Sequence, residues 1–180
     1  MACGGKAQPT PASPADSTRK LTQEAQAAEK ARDYHKARAL YQEAIDSAPT
    51  PISSAFANRE MASALIFWGE FEEASGFLSR SLEQDPNQAQ GWHDLGILNS
   101  KLGKHQEAEE ALLQALQLAP KDPRPRIAMG ALLVNLRRFV EAQTHYKVLL
   151  TLEIPPTIRT AVEKALRILQ LETSRAQQSE

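Results

Sequence analysis

One cysteine, Cys3, occurs in 180 residues. An intrachain disulfide framework and a multi-cysteine zinc site are therefore both excluded. Neither sign of charge prevails: Lys and Arg number 21 and Asp and Glu 22, a net charge of −1. No broad positive field exists to bind a phosphate backbone or an anionic membrane, so nucleic acid is not an expected partner. Long apolar runs are missing too. The longest, "ALIFW" at Ala64 to Trp68, is far short of the roughly 20 residues of a membrane span. Also absent are a phosphate-binding glycine loop, a nucleophile elbow and a Cys-His pairing. The four histidines, His35, His93, His105 and His145, have no metal-ligand spacing, because no two sit three or four residues apart with a third ligand nearby. Neither enzymatic activity nor a cofactor or metal is expected. What remains is a chain long enough for one domain with a sizeable core and loose ends.

That domain is built by repetition. Gly69, Ala74, Leu78, Ser81 and Pro86 recur 34 residues later as Gly103, Ala108, Leu112, Ala115 and Pro120. Upstream, Ala37, Tyr41, Ala44 and Pro49 form the same ladder at an offset of 37, which leaves three extra residues in "TPISS" after Pro49. Downstream, Ala142 and Tyr146 continue it, and the closing proline slips to Pro155. Four units result.

Each unit reads as two short amphipathic helices. Ala108, Leu112, Ala115 and Leu116 keep the three-and-four spacing that places apolar side chains on one helical face. Trp92, Leu95, Gly96 and Leu102 make a second stripe, and Gly103 supplies the sharp turn between the two. Pro120 and Pro123 bracket the next connection, since proline suits a helix start and not its interior. Helices approach closely only where a side chain is small, so Gly96 and Ala108 are expected contact sites against Leu112. Trp92 is expected to fill a gap between helices rather than stack on a ligand. "EAEE" at Glu107 to Glu110 reads as a solvated outer face. No unit can bury its faces alone, so the fold class is an all-α solenoid that needs stacking and an unusual end unit. "PPTIRTAVEKALRILQLE" provides one, with Ile158, Ala161, Val162, Ala165, Leu166 and Leu169 on one face and Arg159, Glu163, Lys164 and Arg167 on the other.

Trp92, Leu95, Gly96, Ala108, Leu112, Ala115 and Pro120 together resemble the tetratricopeptide repeat, whose signature has Trp, Leu-Gly, Tyr, Ala, Phe and Pro at these offsets. Asn99 stands where Tyr is usual and Leu112 where Phe is; the first unit offers only Leu21, Ala25 and Ala28 in its leading helix and is expected to pack loosely. The resemblance implies a right-handed superhelix with units at 18–51, 55–88, 89–122 and 123–156. A disordered linker at 1–17, a capping helix at 157–171 and a disordered tail at 172–180 complete the expectation.

In such arrays the first helix of each unit lines a concave face. Counted in that register, the groove residues are Phe56, Arg59, Ser63, Ile66, Phe67, His93, Ile97, Lys101, Arg124, Ile127, Ala131 and Val134. The large apolar members form a ridge suited to a protein or peptide segment, unless the inserted "TPISS" loop, the N-terminal tail or the capping helix covers some of it. Co-chaperone relatives grip a carboxylate with Lys and Asn, then Asn, then Lys and Arg at set positions. The matching places hold Thr22 and Gln26, Glu60, then Gln90 and Asp94, so carboxylate clamping is disfavoured.

The first 20 residues are rich in Pro, Ala, Ser and Gly and read as a tether. Cys3-Gly4-Gly5 followed by this linker resembles the start of a mature bacterial lipoprotein, anchored by lipid on Cys3. In that group a basic and apolar leader precedes the cysteine; here Met1 and Ala2 do. The expectation is an outer-membrane or periplasmic lipoprotein, a scaffold for pilus, secretion or motility machinery, touching the membrane only through Cys3. The alternative is a cytoplasmic scaffold or co-chaperone.

Overall fold

The computed structural model describes residues 14–178, with side chains over residues 17–175. Nine α-helices and no strand occur among the described residues: α1 (Pro14–Lys30), α2 (Tyr34–Asp46), α3 (Pro51–Trp68), α4 (Phe71–Gln84), α5 (Ala89–Lys101), α6 (His105–Leu118), α7 (Pro123–Asn135), α8 (Phe139–Thr151) and α9 (Pro156–Gln178). Each odd-numbered helix through α7 packs on the even one that follows it, each even one packs on the next odd helix, and α9 lies on α8. The starts of α4, α6 and α8, at 71, 105 and 139, keep the 34-residue interval.

Small residues set the spacing within each pair. A Cβ built on Gly96 would lie 2.6 Å from Leu112 Cγ and 3.2 Å from the Ala108 carbonyl oxygen. One repeat later, a Cβ on Gly130 would lie 2.3 Å from Cε1 of Tyr146. Ala25 and Ala62, both fully buried, occupy this place in the first two pairs. Trp92 packs against the core and donates its indole N–H to the Pro86 carbonyl at 2.8 Å. The unusual Asn99 is buried, and its side-chain oxygen accepts from the Ser75 hydroxyl at 2.9 Å, so a hydrogen bond across pairs takes the place of an aromatic ring.

Three boundaries differ from expectation. "TPISS" is not a loop: Pro51 opens α3, and Thr50 and Ser53 form a reciprocal capping box, with Ser53 N–H donating to Thr50 Oγ1 at 3.1 Å and Thr50 N–H to Ser53 Oγ at 3.0 Å. Three inserted residues are close to one helical turn, so they lengthen α3 without changing its facing. The expected linker ends earlier than residue 17, because Pro14–Ser17 form the first turn of α1. The expected tail is helical through Gln178, continuing α9 past residue 171. In α1 the thin apolar stripe is supplemented by Thr18 and Thr22, both buried beside Ala25 and Ala28.

The turn inside each pair needs a residue with positive φ. Gly69 (85°) and Gly103 (75°) provide it in the middle pairs, but Arg32 (62°) and Arg137 (59°) stand there in the outer ones. A non-glycine residue in this region carries a steric cost. Arg137→Gly relieves about 1–2 kcal/mol of steric cost and loses about 0.5–1 kcal/mol to the entropy that glycine adds to the unfolded state, so a net stabilisation of about 0.5–1 kcal/mol is expected. An unchanged or lower midpoint in thermal unfolding would contradict this.

Candidate binding groove

The first helices of successive pairs approach one another along one side, α1 against α3 and α5 against α7. Between α5 and α7 lies a hollow of about 400 Å³. His93, Ile97, Arg124, Ile127 and Ala131 of the expected groove residues line it, and Gly96, Ala128 and Leu132 form its floor. Ser63 and Phe67 line a smaller hollow of about 230 Å³ with Gln26 of α1. Phe56 and Arg59 line a third, of about 250 Å³, with Thr50 and Ile52.

The expected ridge is thus divided into segments. Phe67 is its most prominent member at 76% exposed, followed by Ile97 at 47% and Ile66 at 37%. Phe56 is half-buried under the Arg59 guanidinium, 5.5 Å from its ring centre. Val134 is half-buried against the Met129, Leu132 and Leu133 cluster, and Ile127 against the cluster of Leu149, Val162 and Leu166. Lys101 is exposed, with its Nζ 3.5 Å from the Phe71 ring centre.

Polar groups in the groove hold one another. Arg124 donates from Nε to both oxygens of Asp122 at 3.0 Å and also reaches Gln90. This guanidinium keeps the Asp122 carboxyl below the usual carboxylate range and raises Arg124 in turn. Asp94 accepts from Gln90 Nε2 at 2.6 Å and lies 3.1 Å from His93 Nδ1. No group of three or more His, Cys, Asp or Glu side chains suited to a metal occurs among the described residues, and none of their helices is long and apolar enough to cross a membrane. His35 and His105 are exposed near helix starts. Cys3 lies outside the described residues.

His145 differs from the other histidines. It is half-buried in α8, and its Nδ1 is buried without a hydrogen-bond partner. Burial, and then Arg126, push its pKa below the ordinary 6.5. The fold therefore favours neutral imidazole, and below about pH 6.5 the unfolded chain binds more protons than the folded one. The stability contributed by neutral His145 is present above that pH and lost as the pH falls through it. His145→Gln is expected to flatten the decline of the unfolding midpoint between about pH 7 and 5.5; an unchanged slope would show that other groups cause it.

Sequence reasoning missed the floor of the groove. Ala128 falls at a groove position in the family register, but Gly96 was read only as a packing residue and Leu132 not at all, because neither carries a chemical signature. Their signal lay in their place between successive first helices.

Helical pairs repeating every 34 residues, each stacked on the next, define an α-solenoid. Two family profiles, each described as tetratricopeptide repeat, match residues 28–95 and 89–122. Together they span 28–122, more than half of the chain, and the chain belongs to the tetratricopeptide-repeat family.

Among solved structures it is similar to MamA of AMB-1, with a TM-score of 0.68 at 22% identity over 89% of this chain and 85% of that one. It is also similar to YrrB, described as a TPR protein with an unusual peptide-binding site, with a TM-score of 0.70 at 17% identity over 86% and 76%. A third is MamA of Desulfovibrio magneticus RS-1, with a TM-score of 0.64 at 18% identity over 75% of each chain. At these identities the likeness is one of fold. No curated protein matches the chain.

Proposed function

We propose that the chain is a non-enzymatic protein-interaction scaffold that holds a segment of a partner protein in the concave groove. The observation that carries this reading is the exposure of three large apolar side chains, Ile66, Phe67 and Ile97, which the family register turns toward the groove in a row. A folded chain rarely leaves such a row facing solvent without a use. Apolar contact at Phe67, Ile97, Ile127 and Val134 supplies affinity, and Arg59, Lys101 and Arg124 set orientation. Family membership supports the general reading, as does the peptide-binding description of the YrrB structure. Glu60 and Asp94 at clamp positions speak against a chaperone-tail carboxylate as ligand.

A photo-crosslinking amino acid tests the reading when placed at Ile97 and, separately, at Val140, which is 67% exposed on a second helix. Adducts with one partner from position 97 and none from 140 are expected in the native host. Equal yields from both would reject the groove.

We further propose that this scaffold is tethered to the bacterial envelope by lipid on Cys3 and serves pilus, secretion or motility machinery. Cys3-Gly4-Gly5 and the Pro/Ala/Ser-rich stretch behind it support this. The mass of the N-terminal peptide of the native protein decides: a diacylglycerol thioether supports the tether, and an unmodified peptide in the soluble fraction favours a cytoplasmic scaffold.

A further inference from the structure

The last helix, α9, was expected only to close the array. Thr160, Glu163, Lys164 and Arg167, all exposed, occupy the side on which a further second helix would pack, as suits a cap. Its other exposed side is apolar. Ala161 and Ala165 stand 34 residues after Ile127 and Ala131 and repeat their place in the ladder. Ile158, Ala161 and Ala165 line a hollow of about 440 Å³ with Ile127 and Tyr146. Ile127 lines both this hollow and the one between α5 and α7, so the two adjoin.

We propose that the groove continues onto α9 and that its occupant is an amphipathic α-helix whose apolar face is bordered by Asp or Glu. This rests on the groove reading above and states the chemistry of the partner.

Three observations lead there. An extended peptide would bury N–H and C=O groups that need partners. The ninth position of successive units, where an amide could serve them, holds Ile97, Ala131 and Ala165 in the C-terminal half. A helix bonds its own backbone and needs none of this. Neighbouring helices pack about 8–10 Å apart, and side chains two turns apart on a helix are separated by about 10.5 Å. Two such anchors would therefore enter adjacent hollows.

The third observation is charge. Arg19 and Arg124 lie toward the N-terminal ends of α1 and α7, Arg59 midway along α3, and Lys30 and Lys101 at the C-terminal ends of α1 and α5. The groove carboxylates Glu29, Glu60 and Asp94 keep their charge while accepting hydrogen bonds from the neutral Tyr41, Gln26 and Gln90, and Glu60 also lies 3.6 Å from Arg59; with Asp122, paired to Arg124, they number four against the five cations. Lys30 and Lys101 have no ion pair among the described residues. An apolar floor between cationic rims selects an apolar helix with acidic borders.

The test uses the full chain and three synthetic helices of about five turns. All share one Leu/Phe face at i, i+3, i+4 and i+7 spacing, and their border residues are Glu, Gln or Lys. In fluorescence anisotropy at low salt, the Glu-bordered helix is expected to bind about tenfold tighter than the Lys-bordered one, with the gap shrinking as salt rises. Lys30→Glu with Lys101→Glu should reverse that order. Ala161→Glu with Ile168→Glu, both at exposed sites, should weaken the Glu-bordered helix about tenfold or more. If that pair lowers helicity, Ala161→Gln replaces it. Binding that requires Ile97 yet ignores border charge and the α9 substitutions would overturn this inference and leave the groove standing. Binding indifferent to Ile97→Glu, or no binding by any helix, would overturn both.

Discussion

Phe67→Glu combined with Ile97→Glu is expected to weaken, by roughly a hundredfold or more, the binding of peptides selected on the wild-type chain from a random library. Full burial of a large apolar side chain contributes about 1.5–3 kcal/mol, and each 1.4 kcal/mol is tenfold in affinity. Two such side chains, each replaced by a carboxylate that resists desolvation, account for the size of the effect. The fold should not suffer, because Phe67 is 76% and Ile97 47% exposed and neither belongs to a buried cluster. Circular dichroism and peptide binding measured on the same sample separate the two consequences. A double variant that is fully helical and binds unchanged would mean that the segment docks elsewhere.

The second large effect concerns stability alone. Gly130→Ala places a methyl group where Cε1 of Tyr146 would be 2.3 Å away and Cζ 2.7 Å away. The ring is half-buried between α7 and α9 and packs on two clusters at once, so it has little room to withdraw. Overpacking of this kind costs about 1–3 kcal/mol. For a chain of this length that lowers the unfolding midpoint by several degrees, at about 2–4 °C per kcal/mol. The repeat supplies its own control, because Ala62 and Leu78 hold the equivalent places in the second pair, both buried in one cluster. Gly130→Ala with Tyr146→Leu recreates that combination and should recover part of the loss. An additive double variant would show that the ring is not the cause.

Much of the fold was legible in the chain because the repeat is a packing rule written in residue size. Gly96, Ala108 and Leu112 were readable as a contact, and they meet as one. Asn99 was readable only as a departure, because its partner Ser75 lies in the preceding pair and no local pattern links them. "TPISS" misled because proline and serine signal loops as strongly as they signal helix starts; only the Thr50–Ser53 reciprocity distinguishes the two. Arg32 and Arg137 were invisible as turn residues, since nothing in an arginine announces positive φ.

The groove residues were placed by register, and register conveys facing without depth. Ile127 and Val134 share the facing of Ile97 but are partly covered, Ile127 by its packing on Leu149, Val162 and Leu166 of α8 and α9. That covering depends on how far the array curves, which is a sum over every interface in it.

The division of the interior also governs how stiffness is distributed along the molecule. Ala111 belongs to the cluster built from α1 to α5, whereas Ala108 and Leu112, on the same helix, belong to the one shared by α7, α8 and α9. The two sets of side chains meet along one side of α6, where Ala111 and Leu112 are about 100° apart around the helix. A strain arising where a segment seats against Phe67 reaches Ile127 by displacing this rod or through the direct contact of α5 with α7. In an array where each layer touches only its neighbours, such displacements pass in series, so the compliance of the whole is set by its softest joint rather than by the average of its contacts.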